Sequence, residues 1–229
     1  MFKLQIKYLS FFFGIVSMLS FFNILYSYYF NLYLNLDTYY FTLIASSILF
    51  ITFFKFGKYD IKSNIFQRIL TIFLGYLLIP LILSIPFYFS IYNLTFSNSF
   101  FEAISGFTST GFTVFENIKL VDQSLIIWRS STQWIGGLYF LFSIIYLIDI
   151  YDDSFKKTLT NFISFNSSEI FRQAAKIFIL YTSLTILIFV ILNIFSIRTF
   201  DSLNLSLTII SSGGFLPVNE LSMIIKENT

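Results

Sequence analysis

The chain has 229 residues, 56% of them hydrophobic and only 11% charged, with a mean hydropathy of +0.79 and a formal net charge of +2. A water-soluble domain carries about a quarter charged residues, so this composition excludes one and points to an integral membrane protein. Cysteine and histidine are both absent, which removes disulfides, thiolate and imidazole catalysis and every His or Cys metal site, and leaves oxygen donors from carbonyls, hydroxyls and carboxylates.

The uncharged intervals between ionisable residues set the predicted spans: 8–36, 38–54, 69–101, 130–148 and 177–197. A bilayer crossing takes about 17–25 helical residues, so the first, second, fourth and fifth intervals hold one crossing each. The first follows Lys3 and Lys7. Its apolar run is too long for a secretory signal and no small-x-small cleavage site follows, so it reads as an uncleaved helix. The third interval is too long for one crossing. It reads as a helix over 66–92 that Pro80 and Pro86 either bend or mark as a broken, functional helix, followed by a short re-entrant helix from about 97. Either Asn98 or Ser99 suits its N-cap. A basic stretch then links to a helix over 173–197 and a second re-entrant loop over 201–217, with Asp201 or Ser202 as the N-cap. The tail LSMIIKENT is too short to cross. Four parts follow: an N-terminal helix pair (1–54), a helix–pore loop–helix unit (55–149), a cytoplasmic link (150–172) and an incomplete second unit (173–229). The predicted fold is all-α, a polytopic membrane protein of repeated helix–re-entrant loop–helix units.

The two re-entrant stretches are copies of one device. FEAISGFTSTGFTVF at 101–115 and NLSLTIISSGGFLPV at 204–218 align Ser109 with Ser212, Gly111 with Gly214 and Phe112 with Phe215, at a constant offset of 103 residues. A helix ending in a Ser/Thr/Gly loop at membrane depth exposes backbone carbonyls. Such backbone is tolerated there only where it is buried in protein or lines a watery path, and carbonyls in that setting replace the hydration shell of a cation. Orientation follows from Lys and Arg. With the N-terminus inside, Lys3, Lys7, Lys55, Lys58, Lys62, Arg68, Lys156, Lys157, Arg172 and Lys176 face the cytoplasm, against Lys119, Arg129, Arg198 and Lys226 outside. Ten against four is a positive-inside asymmetry, and both Gly loops then enter from the outer face.

Several stretches together resemble the Trk/Ktr/HKT family of potassium transporters, most closely the N-terminal half of the bacterial Trk membrane subunit. They are KFGKYDI at 55–61, LGYLLIPLILSIPFY at 74–88, FEAISGFTSTGFTVF at 101–115, WRSSTQWIGG at 128–137 and FDSLNLSLTIISSGGF at 200–215. The resemblance implies a fold of four such units around one pore, of which about two are present here. It also implies uptake of potassium, or sodium in some members, across the plasma (inner) membrane through a carbonyl-lined filter. The filter segments map to Thr108, Ser109, Thr110, Gly111 and Phe112, and to Ser211, Ser212, Gly213, Gly214 and Phe215. Two loops are half a filter. The implied partners are therefore a chain carrying the remaining loops or a second copy of this one, with a cytoplasmic nucleotide-binding regulatory subunit at the link. No organic cofactor and no nucleic acid is expected.

Each site residue has a structural reading beside the functional one. Gly111 and Gly214 are read as freeing the backbone to turn carbonyls inward, because Gly tolerates positive φ. Thr110 and Ser212 either add hydroxyl oxygens or bond back to the helix end. Gly213, standing where the first loop has Thr110, loosens the second loop. Glu102, in the first helical turn, either meets the positive dipole end or Arg129, or attracts cations at the outer mouth; Asp201 is read the same way. Arg129 either snorkels to the interface or braces the loop carbonyls. Gly136 and Gly137 permit close helix packing. Asp149, Asp152 and Asp153 end the fourth span on the inside, read as a solvated helix end with a cation exit site as the alternative. An intramembrane enzyme is disfavoured, since the spans hold no paired carboxylates and no Ser–Lys dyad. The competing reading is a fragment that inserts but conducts nothing without a partner.

Overall fold

A computed structural model describes residues 7–57, 65–148, 170–220 and 224. Most of the predicted cytoplasmic link, Lys3, Lys58, Lys62, Asp149, Asp152 and Asp153 lie outside the described residues, as does most of the tail. The described chain is all-α. In chain order it has α1 (Lys7–Tyr29), α2 (Leu36–Phe56), α3 (Ile65–Leu83), the single turn α4 (Ile85–Tyr88), α5 (Phe96–Phe107), α6 (Gln123–Ile148), α7 (Ile170–Ile194) and α8 (Thr199–Ile210), with a 3-10 turn at Ile118–Leu120. Among the described residues, four segments are long and apolar enough to cross a membrane: α1, α2, α3 continued through α4, and the Ala174–Ile194 part of α7.

The first and third uncharged intervals overstate helix length, because the turns that follow those helices are uncharged too. The first predicted span stops at Tyr29, not 36. Asn31 takes a left-handed φ of 57°, and the amides of Asn31 and Leu32 bond back to Tyr28 O and Ser27 O. That pair of bonds is the Schellman termination, which satisfies carbonyls the helix leaves open. The predicted 66–92 helix breaks at Ser84, two residues before Pro86. Proline at 86 has no N–H to offer Ile82 and its ring crowds that carbonyl. Leu83 O, at the break, accepts the indole N–H of Trp128 at 3.0 Å.

Helix α6 is the hub. It packs against α1, α3, α4, α5, α7 and α8, and every residue from 124 to 139 is buried. It begins at Gln123, seven residues ahead of the predicted span. Its 26 residues reach about 39 Å at 1.5 Å per residue, enough to cross. Its polar run Arg129-Ser130-Ser131-Thr132-Gln133 keeps its upper half from being a lipid-facing span, so the other helices wrap it. In its C-terminal half, Tyr139 donates to Ile72 O at 2.9 Å and joins Tyr8, Phe12, Tyr76 and Phe107 in an aromatic cluster. The outward faces of α2 (Phe41, Ile44, Ile48, Ile51) and α7 (Ile179, Leu180, Ile186, Leu187) are exposed and mostly apolar, and the exposed Ser183 hydroxyl of α7 bonds back to Ile179 O, as lipid contact requires.

Candidate functional site

Helices α5 and α8 have 12 residues each, and both ends obey the 103-residue offset. The turns before them repeat as well: Asn93 and Ser196 carry φ of 50° and 61°, each three residues ahead of its helix. The N-caps differ from expectation. Thr95, not Asn98 or Ser99, caps α5, its hydroxyl accepting the Asn98 amide at 3.3 Å. Arg198, not Asp201 or Ser202, occupies the N-cap of α8 and makes no side-chain cap bond. Asp201 sits in the first turn, buried, and accepts both Arg198 Nε at 3.0 Å and an Arg198 terminal N–H at 3.1 Å. A carboxylate near the positive end of a helix and paired with arginine is locally satisfied.

The C-terminal ends coincide in detail. Ser109 and Ser212 take φ of 56° and 54°. Their amides bond to Gly106 O at 2.9 Å and Ile209 O at 3.0 Å, and the next amides, Thr110 and Gly213, bond to Ser105 O at 2.9 Å and Thr208 O at 2.8 Å. Both loops are therefore Schellman terminations with serine where glycine is usual. Positive φ thus falls on the aligned serines and on Gly111 (82°), whereas Gly214 has none. Gly214 is needed for closeness instead. A Cβ on Gly111 would stand 2.6 Å from Gly214 Cα, so the two loops touch at their glycines. Back-bonding hydroxyls also precede the expected ones, by two positions in the first loop and one in the second. Thr108 bonds Ile104 O at 2.8 Å and Ser211 bonds Thr208 O at 2.9 Å, while the Thr110 hydroxyl meets that of Thr108 at 2.8 Å. Among the described residues, no hydrogen bond is accepted by the backbone oxygens of 108–111 or 211–214. A cavity of about 600 Å³ opens beside the two helix ends, lined by Thr108, Ser109, Ser211, Ser212, Gly136 and Gly137 among others.

The stretch WRSSTQWIGG on α6 holds both loops. Arg129 is 1% exposed, which overturns the snorkelling reading. It lies in the second turn of α6, not at the mouth, and its Nε donates to Glu102 at 2.8 Å. Glu102 is likewise in the second turn of α5, not the first, and is wholly buried. It accepts the Val114 amide at 2.9 Å and the Thr113 hydroxyl at 2.9 and 3.0 Å. Such a carboxylate faces its own loop, which removes the outer-attractor geometry. Arg129 also donates to Thr113 Oγ1 at 3.1 Å and, at a long 3.5 Å, to Leu216 O, and its guanidinium lies 4.2 Å over the Phe215 ring. Gln133 accepts the Phe215 amide at 3.2 Å. Gly213 packs against that same amide side chain, where a Cβ would overlap it, so the position is filled by Gln133 and is not loose. Ser130 donates to Asn204 at 2.7 Å. Gly136 and Gly137 divide the seating. A Cβ on Gly136 would overlap the Phe107 carbonyl ending α5, and one on Gly137 would come within 2.7 Å of Ser211, which ends α8.

Equivalence in sequence is not equivalence of surroundings. Phe112 is 70% exposed and Phe215 only 2%. Sequence reasoning also missed Asn219, which accepts the Ile118 amide at 2.7 Å and donates to Asn117 at 3.1 Å, tying together the segments that leave the two loops. The 103-residue offset gave no signal for this pair, since Asn117 stands 102 residues earlier and is out of register with the repeat by one.

No family model matches the chain. It is similar to an uncharacterized cation transporter of Methanocaldococcus jannaschii, 29% identical over 168 residues, which covers 66% of this chain and 34% of that protein. It is similar to the Trk system potassium uptake protein TrkH of Salmonella typhimurium, 25% identical over 165 residues, covering 69% of this chain and 34% of the relative. The chain spans about a third of the length of these curated relatives. In three dimensions it matches the crystal structure of the potassium transporter TrkH from Vibrio parahaemolyticus with a TM-score of 0.70 at 19% identity, over 93% of this chain and 44% of that one. That likeness establishes the fold.

Proposed function

We propose that this chain, which resembles the membrane subunits of Trk potassium-uptake systems, supplies part of a pathway for monovalent cations, potassium foremost, across the plasma membrane. The observation that carries the reading is the pair of loops. Two helices of equal length end in the same hydrogen-bonded turn, touch at Gly111 and Gly214, and leave the backbone oxygens of 108–111 and 211–214 without donors among the described residues. The C-terminal end of a helix carries partial negative charge, and both helices bring that end to the loops. Unpaired carbonyls so gathered suit a dehydrated cation and nothing anionic. Thr108 to Phe112 and Ser211 to Phe215 are the proposed filter segments, with Glu102 and Arg129 supporting them from behind.

Two loops surround an ion on one side only. Backbone of this kind at membrane depth requires cover by protein or water, so the open face of the loops supports assembly with further loops, from another segment of chain or from a second copy. The parts at 1–54, 55–149 and 173–229 then act as an outer helix pair and two pore units. A nucleotide-binding regulatory subunit would meet the link at 150–172. With the positive-inside orientation the N-terminus is cytoplasmic and the loops are entered from outside. The test is growth rescue of a potassium-uptake-deficient bacterium on low potassium. Residues 1–229 are expressed alone and beside any in-frame or adjacent continuation carrying more Gly loops. Rescue by either form supports the reading, and by 1–229 alone it adds self-association. Insertion without rescue by either form rejects it in favour of a chain that spans the membrane but does not conduct.

A further inference from the structure

We infer that Arg129 is a selectivity-determining positioning residue: one guanidinium that fixes the spacing of the two loops from behind. This rests on the cation-pathway reading above. The geometry is particular. Thr113 and Leu216 each stand two residues past the loop glycine, at equivalent places in the repeat, and Arg129 reaches both, Thr113 by its hydroxyl at 3.1 Å and Leu216 by its carbonyl at 3.5 Å. Its Nε is held by Glu102 at 2.8 Å, and its face lies 4.2 Å from the Phe215 ring and 5.6 Å from the Phe115 ring. In front, Gly111 and Gly214 are in contact. The loops are thus pinned at two depths, and the free carbonyls belong to the segments next to the glycine contact.

The chemistry of the brace suits this role. A planar guanidinium presents several donors in a fixed fork, while an ammonium is a point charge that cannot reach all these partners at once. The Glu102 carboxylate cancels the positive charge, so the brace does not repel a cation in the loops. A pair this deeply buried is weak evidence for stability by itself; here its partners are the equivalent positions of two separate loops. Discrimination between potassium and sodium depends on carbonyl spacing or on carbonyl field strength and number, and both change if the loops drift apart.

The experiment compares potassium and sodium uptake by wild type, Arg129→Lys and Thr113→Val, in whichever form of the protein restores growth, at matched amounts in the membrane. Thr113→Val removes the hydroxyl that Glu102 and Arg129 share and leaves the ion pair in place, so it carries the test if Arg129→Lys fails to accumulate. The expected result is a fall of roughly tenfold in the potassium-to-sodium ratio, the scale of one charge-assisted hydrogen bond. An unchanged ratio, with or without a proportional loss of both fluxes, overturns the inference and leaves the cation pathway standing. A wild type that moves neither ion in any form overturns both.

Discussion

At the scale of single residues, the two loop glycines are required for different reasons, and that difference is measurable. Gly111 has a φ of 82° and no room, since a Cβ would lie 2.6 Å from Gly214 Cα. Gly214 has no positive φ, and a Cβ there would find Gly111 Cα at 3.3 Å and the Thr110 oxygen at 3.6 Å, a tight but yielding contact. A side chain in the left-handed region costs about 1–2 kcal/mol before any clash. Gly111→Ser is therefore expected to abolish potassium-limited growth rescue and Gly214→Ser only to weaken it, with both proteins inserted in equal amounts. Equal loss in the two variants would contradict the steric argument. The aligned serines show the opposite case. Ser109 and Ser212 hold φ near 55° without glycine's freedom, because the amide of each and that of the next residue are secured by the termination bonds.

At the scale of elements, α6 does the work that a repeated unit would be expected to do for itself. Each 12-residue helix ends against one glycine of α6: α5 on Gly136 and α8 on Gly137. Adjacent residues on a helix point about 100° apart, so neighbouring glycines open seats on two different sides. A bulky side chain should consequently unseat one loop and spare the other. The chain has no cysteine, so single-cysteine labelling is free of background. Gly136→Val is expected to raise thiol labelling at S109C with little change at S212C, and Gly137→Val to do the reverse. Parallel increases at both positions would mean that α6 seats the loops jointly. The interruption between α3 and α4 belongs to the same arrangement. The break near Pro86 presents Leu83 O to the Trp128 indole, one residue before Arg129, so the broken span and the brace share a short stretch of α6.

At the scale of the whole molecule, the lipid-facing helices are α2 and α7 and the protected one is α6. That division follows from polarity, since the arginine and hydroxyl run of α6 is costly in hydrocarbon and is covered by the surrounding helices. The positive-inside count also changes character. Arg129 is buried inside the protein and is not a loop charge, which leaves three outer cations against ten and sharpens the asymmetry. The expected topology has the C-terminal end of α2 inside and the 3-10 turn at Ile118–Leu120 outside. An impermeant maleimide added to intact cells should label L120C, whose native residue is 74% exposed, and should reach F56C, at 76% exposed, only after permeabilisation. The reverse pattern would invert the orientation and the side from which the loops are entered.

The sequence alone was enough for the membrane class, the all-α fold, the approximate spans and the existence of two equivalent loops. These depend on composition, on local hydrophobic length and on a repeat whose termination bonds join residues no more than five apart, so each copy carries its own instructions. The limits of the helices were less legible, because apolar turns such as 30–35 continue the uncharged interval after the helix has closed at Asn31. What the tertiary structure decided is how the copies differ. Phe112 is exposed and Phe215 is buried beneath Arg129; Gly111 twists and Gly214 yields space; Glu102 has its counterpart in Leu205, so the second loop has no carboxylate at the position that meets Arg129. Those distinctions arise from one helix, α6, reaching across more than 80 residues to hold Leu216 as it holds Thr113. A repeat in the chain records what each segment can do locally, and a shared neighbour in space determines which of the two does it.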